Sequence, residues 1–145
     1  MISEGELRFN CCESTLKRVN KAKPLPGFDS DIMRIASGFG GGIGGWGSAC
    51  GAVSGAAMAL GLVYGSNGDE EVKSFKDKKA ELREVTREFL GAFQSEFGSV
   101  NCQDLLGVNR HTEEGRKRYA ELSGTGVFRC NEYVEWASRW VADRL

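Results

Sequence analysis

The sequence has only one histidine and two prolines, and its five cysteines include no C-x-x-C spacing. The histidine, His111, lies in a polar segment between Arg110 and Thr112. A solvated side chain is expected there, so no Ser/His/Asp catalytic set is predicted. The missing C-x-x-C spacing gives no support for a zinc finger or a thioredoxin motif. Any site that the cysteines form must therefore be assembled by the tertiary fold.

The chain also lacks an excess of charge of either sign. It has 19 Lys and Arg against 20 Asp and Glu, a net charge of -1, which argues against a nucleic-acid partner. Its first residues lack the basic and apolar series of a signal peptide, because Ser3, Glu4, Glu6 and Arg8 interrupt it. We therefore expect a cytoplasmic protein.

No charged side chain occurs over residues 35–68, a stretch that holds 12 of the 20 glycines. It consists of a glycine-rich loop and then a predicted helix over residues 49–63, with Ser48 as its N-cap. A helix that is apolar on every side must be buried. A membrane span is not expected, because residues 48–64 are barely long enough and glycine and serine dilute their hydrophobicity.

Small residues recur along one face of this helix. Gly47, Gly51 and Gly55 are four residues apart, and Ala59 follows at the same spacing. This face offers almost no side chain, so another helix could pack closely against it. Cys50 lies beside this glycine seam at the second position of the predicted helix. Because unpaired backbone N–H groups at a helix start favour an anion, we expect the pKa of its thiol to be lowered.

The glycine-rich loop also matches a nucleotide-binding pattern. The pattern G-x-G-x-x-G occurs at Gly40, Gly42 and Gly45 and again at Gly42, Gly44 and Gly47. A dinucleotide site would need flanking strands, which residues 32–36 and 60–64 could supply. A Walker P-loop is a different phosphate-binding motif that requires a lysine, and it is excluded because the loop has none. Trp46 within this loop is expected either to fill the core or to cover a site.

Apolar side chains at three- and four-residue steps predict helices in the rest of the chain. These helices cover residues 4–22, residues 31–37 after a cap at Asp29 or Ser30, residues 71–97, a short helix that starts at Cys102 after Asn101, residues 113–122 after Thr112, and residues from about 131 to the C-terminus. No segment shows the alternation of a strand. The sequence therefore predicts an all-α fold in one domain over residues 1–145, an irregular bundle of about four main helices.

The cysteines are Cys11, Cys12, Cys50, Cys102 and Cys130. The last three fall within a residue or two of a predicted helix N-terminus, where backbone N–H groups stabilise a thiolate. Any one of them could simply fill the core, but three in such positions favour redox or metal chemistry. The adjacent Cys11 and Cys12 point about a quarter-turn apart, so only one of them can face the core squarely.

The cysteines stand within a longer series of short motifs. These are Asn10-Cys11 with Glu13-Ser14, FGGGIG at residues 39–44, CGAVSG at 50–55, ALGL with Tyr64-Gly65, NCQDLLG at 101–107, and Cys130 before the last helix. In this order they resemble the family of redox-active proteins named for the C_GCAxxG_C_C signature. The resemblance implies that Cys11, Cys50, Cys102 and Cys130 form the site. Cys12 departs from the pattern, which leaves open which of the adjacent pair takes the first role.

Two mechanisms are compatible with this resemblance. In the first, pairs of cysteines cycle between dithiol and disulfide, with Cys50 as the attacking thiolate and Cys11, Cys102 or Cys130 as the resolving thiol. In the second, the four sulfurs bind an iron–sulfur cluster or a metal ion. A third interpretation, of a different class, is a non-catalytic helical interaction module whose cysteines fill the core and whose glycine seam forms a homodimer. None of the three identifies the redox partner.

Overall fold

The computed structural model describes residues 9–145, which fold into seven α-helices and one short 3-10 turn. In chain order they are α1 (Cys11–Ala22), α2 (Ser30–Ala36) with the 3-10 turn (Ser37–Phe39), α3 (Gly51–Tyr64), α4 (Val72–Phe97), α5 (Cys102–Leu106), α6 (Glu113–Leu122) and α7 (Cys130–Arg144). Residues 9–145 contain no strand, so the predicted all-α class is confirmed.

The first helix begins later than the sequence pattern predicts. Asn10 is its N-cap: its side chain accepts a hydrogen bond from the backbone N–H of Glu13, and the Glu13 carboxylate accepts one from the backbone N–H of Asn10, both at 2.9 Å. This reciprocal pair is a capping box, which fixes the start of α1 at Cys11. Residues 4–8 of the predicted helix lie outside the described part of the chain. Cys11 is consequently the first residue of a helix rather than a residue in the middle of one.

Two other predicted helix starts agree with the structure. The Asp29 side chain accepts hydrogen bonds from the backbone N–H groups of Asp31 and Ile32 at the start of α2. The Thr112 hydroxyl accepts one from the backbone N–H of Gly115 at the start of α6. Short polar side chains at these positions satisfy N–H groups that have no partner within the helix.

The start of α3 differs from the prediction, because Cys50 and not Ser48 is its N-cap. The preceding residues pair instead with the segment that leads into α5. The backbone N–H of Cys50 donates to the carbonyl of Val100 at 2.8 Å, and that of Cys102 donates to the carbonyl of Ser48 at 2.7 Å. An isolated antiparallel bridge joins Ala49 to the same segment. This pairing holds Cys50 and Cys102 on adjacent segments of backbone.

The four longest helices, α1, α3, α4 and α7, form the bundle, as predicted. Phe89 and Phe93 of α4 are fully buried and contact the ring of Trp136 on α7, with centroids 6.0 and 5.6 Å apart. The other largest fully buried side chains are Leu16, Leu60, Val19, Val141, Thr15 and Cys12. Burial of these groups supplies most of the driving force for folding.

The glycine seam of α3 is filled by α1 of the same chain. A Cβ atom at Gly51 would lie 2.7 Å from the Cβ of Cys11, and one at Gly55 would lie 2.7 Å from the carbonyl oxygen of Cys12. These distances are shorter than van der Waals contact, so only glycine permits this approach of the two helices. The predicted close helix packing is confirmed at both positions. Gly47 lies outside the helix, where a Cβ would approach Gln103.

The glycine-rich loop does not connect strands. Residues 32–36 belong to α2 and residues 60–64 belong to α3, so the flanks that a dinucleotide-binding motif requires are absent from the described chain. The loop forms a compact turn in which residues 41–45 all have positive φ. At Gly42, with φ at 77°, a Cβ would lie 2.6 Å from the backbone nitrogen of Ser48. The helical flanks therefore do not fit the dinucleotide-binding interpretation of the glycine pattern.

No helix within residues 9–145 is both long and apolar enough to cross a membrane. The most apolar helix, α3, has 14 residues, and the longest, α4, carries charged side chains along its exposed face. This agrees with the prediction that a membrane span is not present in the central stretch.

We expect Gly55→Ala to destabilise the fold by about 1–3 kcal/mol, because the new methyl group would press on the backbone of α1. The matched control is Gly61→Ala in the same helix, where a Cβ meets no atom within 4 Å. That change should stabilise the helix by about 0.5–1 kcal/mol. Urea unfolding of both variants measures the difference, and an unchanged stability of Gly55→Ala would contradict the close approach.

Candidate functional site

Four cysteines line one cavity of about 940 Å³ in the described structure. Each lies where a helix begins: Cys11, Cys102 and Cys130 are the first residues of α1, α5 and α7, and Cys50 is the N-cap of α3. Four helix N-termini therefore converge on the same cavity. The structure brings together all four of the cysteines that the sequence singled out.

Cys12 does not face this cavity. Its side chain is fully buried, and its sulfur lies 3.6 Å from the sulfur of Met58 on α3. The quarter-turn between adjacent helix positions thus separates the pair, with Cys11 at the cavity and Cys12 in the core. Burial raises the pKa of Cys12 to about 12. Such a thiol is a packing group, so Cys11 is the member of the pair that belongs to the site.

The thiols of Cys11 and Cys130 influence the pKa of each other more than any other group does, as expected of a hydrogen bond from the Cys11 thiol to the Cys130 thiolate. The pKa of Cys130 is lowered to about 7. The side chain of Cys11 contributes most to this shift, and the backbone N–H of Cys130 and the positive charge of Arg110 also lower the pKa, whereas burial raises it. The same hydrogen bond, burial and the neighbouring negative charge raise the pKa of Cys11. The two thiols therefore titrate as a coupled pair, in which the pKa of Cys130 is lowered and the pKa of Cys11 is raised.

The expectation that the pKa of Cys50 is lowered is wrong. Its thiol is 5% exposed, and this burial raises its pKa to about 11. The backbone N–H groups of Ala52 and Val53 do lower the pKa, as the position at a helix start predicts. Desolvation of a buried thiolate outweighs them, because it can shift a pKa by several units.

Arg110 is the residue of the site that the sequence reasoning missed. Its charge and its guanidinium N–H groups lower the pKa of the Cys102 thiol, although burial keeps that pKa above its usual value. The guanidinium stacks 3.9 Å from the ring centroid of Tyr119 on α6 and lies against Gly41 of the glycine-rich loop. A cation held in this way next to two thiols favours their ionised forms.

No local sequence signal marks Arg110, which lies in an irregular segment between α5 and α6. Its neighbour His111 is exposed, as predicted, and packs edge-on against Trp46 with ring centroids 4.1 Å apart. Trp46 is 61% exposed, so it does not fill the core. The glycine-rich loop contributes to the site through its backbone, which lines the cavity.

The cavity wall carries positive charge beyond Arg110. Lys17, Arg18 and Lys21 of α1 also line it, and no Asp or Glu side chain is among its lining residues in the described chain. Local potential near the thiols is therefore positive, although the protein as a whole has a net charge of -1.

The arrangement does not fit the alternative of a four-cysteine metal or iron–sulfur site. Within residues 9–145 no three His, Cys, Asp or Glu side chains are grouped so that they could hold a metal ion. Such a site requires three or four donors at bonding distance around one point. The chemistry that these residues support is that of the thiols themselves.

The fold and the cavity define an all-helical protein with four thiols at converging helix starts. The chain belongs to the family described as "Putative redox-active protein (C_GCAxxG_C_C)", whose sequence profile matches residues 9–144. The resemblance seen in the sequence is thereby confirmed. Neither the curated proteins nor the solved structures contain a significant match to the chain.

We expect Cys11→Ala to raise the pKa of Cys130, because the substitution removes the hydrogen bond that contributes most to lowering it. Pulse alkylation with iodoacetamide, read by mass spectrometry of the Cys130 peptide, should give a midpoint near pH 7 in the wild type. Reactivity should be retained above that pH and lost below it, and in Cys11→Ala the midpoint should move up towards the ordinary thiol value.

Cys11→Ser is the matched control, since its hydroxyl can still donate a hydrogen bond to the thiolate and should keep the midpoint closer to that of the wild type. Cys12→Ala controls for a change at the adjacent position outside the cavity. Identical midpoints in the wild type and in Cys11→Ala would contradict the assignment of the hydrogen bond.

Proposed function

We propose that the protein is a thiol–disulfide oxidoreductase whose working pair is Cys11 and Cys130. The observation that carries this proposal is that Cys11 and Cys130 line one cavity at the starts of α1 and α7, where the side chain of each is the largest influence on the pKa of the other. A thiolate with a pKa near neutral pH is close to the optimum for attack on a disulfide, and a second thiol in the same cavity is available to resolve the product.

The reaction reduces a disulfide of the partner to two thiols and oxidises Cys11 and Cys130 to a disulfide. The Cys130 thiolate attacks one sulfur of the partner disulfide, which forms a mixed disulfide and releases the partner's first thiolate. Cys11 then attacks the Cys130 sulfur, which forms the Cys11–Cys130 bond and releases the second thiolate. The proton of Cys11 and one proton from solvent convert the two released thiolates to thiols, so the partner gains two electrons and two protons.

The order of attack follows from what raises the pKa of Cys11. The hydrogen bond to Cys130 is the largest cause, and the negative charge of Cys130 also contributes. Both disappear once Cys130 is bonded to the partner, because its sulfur then carries no charge. Cys11 therefore ionises more readily in the mixed disulfide than in the free protein. Cys130 attacks first, and its reaction activates the resolving thiol.

Cys50, our choice of nucleophile from the sequence, is a poor first nucleophile because its buried thiol stays protonated near neutral pH. Cys50 and Cys102 remain available as a second pair of thiols in the same cavity. The glycine seam gives no support to the interaction-module alternative, because α1 of the same chain already fills it.

Oxidation followed by disulfide mapping tests the pair. After treatment with diamide and digestion without reductant, we expect a peptide that contains a Cys11–Cys130 disulfide, and its reversal by dithiothreitol. Cys130→Ser should abolish this peptide and leave the fold intact, as judged by helical circular dichroism. The control Cys12→Ala should retain it, because Cys12 lies in the core. A predominant disulfide between any other two cysteines would contradict the assignment.

A further inference from the structure

The cavity continues from the thiol pair along the outer face of α1. Ser14, Arg18 and Lys21 line it and follow Cys11 at intervals of three or four residues, so the four side chains share one helix face. At the rise of an α-helix, Arg18 and Lys21 lie about 10 and 15 Å along the axis from Cys11. A molecule whose sulfur is at the pair would therefore extend past both cations.

These cations have no carboxylate partner in the described structure. Every ion pair found within residues 9–145 lies elsewhere, and none involves Lys17, Arg18, Lys21 or Arg110. These four cations lie around a single concavity without a carboxylate partner, and their mutual repulsion costs free energy in the empty protein. An anionic ligand would offset this cost, whereas a cationic ligand would add to it.

We infer that the partner of the Cys11–Cys130 pair is a small anionic disulfide, whose carboxylate groups bind Arg18 and Lys21 while its sulfur atoms lie at the thiols. This inference rests on the proposed function, since a dithiol pair exchanges with a disulfide. The concave shape and the volume of about 940 Å³ suit a small molecule. Electrons and protons balance as described above, with one disulfide converted to two thiols and the protein pair converted to a disulfide.

Three small disulfides that differ in charge test the inference. Glutathione disulfide carries net negative charge, hydroxyethyl disulfide is uncharged, and cystamine carries net positive charge. For each compound, the rate of formation of the Cys11–Cys130 disulfide is measured by acid quench and mass spectrometry. This rate is divided by the rate at which the same compound reacts with a free small thiol, which corrects for its intrinsic reactivity. We expect the normalised rate to be highest for glutathione disulfide and lowest for cystamine.

The double substitution Arg18→Gln with Lys21→Gln should lower the normalised rate with glutathione disulfide about tenfold. With hydroxyethyl disulfide the same double substitution should lower the rate much less, because that disulfide has no carboxylate group for the two cations to bind. The matched control is Lys73→Gln with Lys76→Gln, which removes the same charge from the exposed face of α4 and should change neither rate.

The outcomes separate this inference from the function on which it rests. Two outcomes would overturn the inference of an anionic partner and leave the proposed function standing. One is an unchanged rate with glutathione disulfide in the double variant, and the other is a rate with cystamine that exceeds the rate with glutathione disulfide in the wild type. Failure of the uncharged disulfide to form any Cys11–Cys130 bond would overturn the proposed function as well. If the Lys73 and Lys76 control lost as much rate as the Arg18 and Lys21 variant, the effect would be one of net charge. That result would overturn the assignment of Arg18 and Lys21 as the residues that bind the anion.

Discussion

The close approach of α1 to α3 at two glycines is the constraint on which the site depends. With Gly51 and Gly55 the two backbones are nearly in contact, and Cys11 lies directly across from the start of α3. A side chain at either position would move α1 away and carry Cys11 with it. Residues 35–68, which include α3, carry no charged side chain. A charge on α3 would be buried, because this helix packs against α1, α4 and α7. Packing and thiol geometry are therefore fixed by the same contact.

Burial, more than the helix dipole, decides which of the four thiols ionises. All four lie at helix starts, where the dipole contributes about 0.3–1 kcal/mol, yet three have raised pKa values. Desolvation is the larger effect for Cys50 and Cys102. Cys130 differs because a thiol donates a hydrogen bond to it and Arg110 is near. One of four thiols at similar backbone positions therefore has a lowered pKa.

The sequence was sufficient to predict features that depend on local patterns. The periodic apolar positions of α4, the caps at Asp29 and Thr112, and the glycine spacing along α3 each contain their own signal within a few residues. The order of the cysteine motifs likewise identified the family. These features rest on helix geometry and on excluded volume, which act over short distances along the chain.

Features that depend on distant segments could not be predicted in this way. Cys50 is an N-cap because its backbone pairs with Val100, and this pairing has no local pattern. Cys130 has a lowered pKa because Cys11, near the other end of the described chain, donates to it. Arg110 acts on the thiols only because Tyr119 holds its guanidinium in place. In each case the partner is brought near by tertiary folding.

The contact between α1 and α7 also links the two ends of the described chain. A bond between Cys11 and Cys130 would close a loop of about 120 residues, and loops of that size remove on the order of 5 kcal/mol of conformational entropy from the unfolded chain. Oxidation would thus restrain nearly the whole polypeptide rather than one corner of it. The oxidised protein would resist unfolding and proteolysis more than the reduced protein, so the redox state of two sulfur atoms would govern the lifetime of the chain.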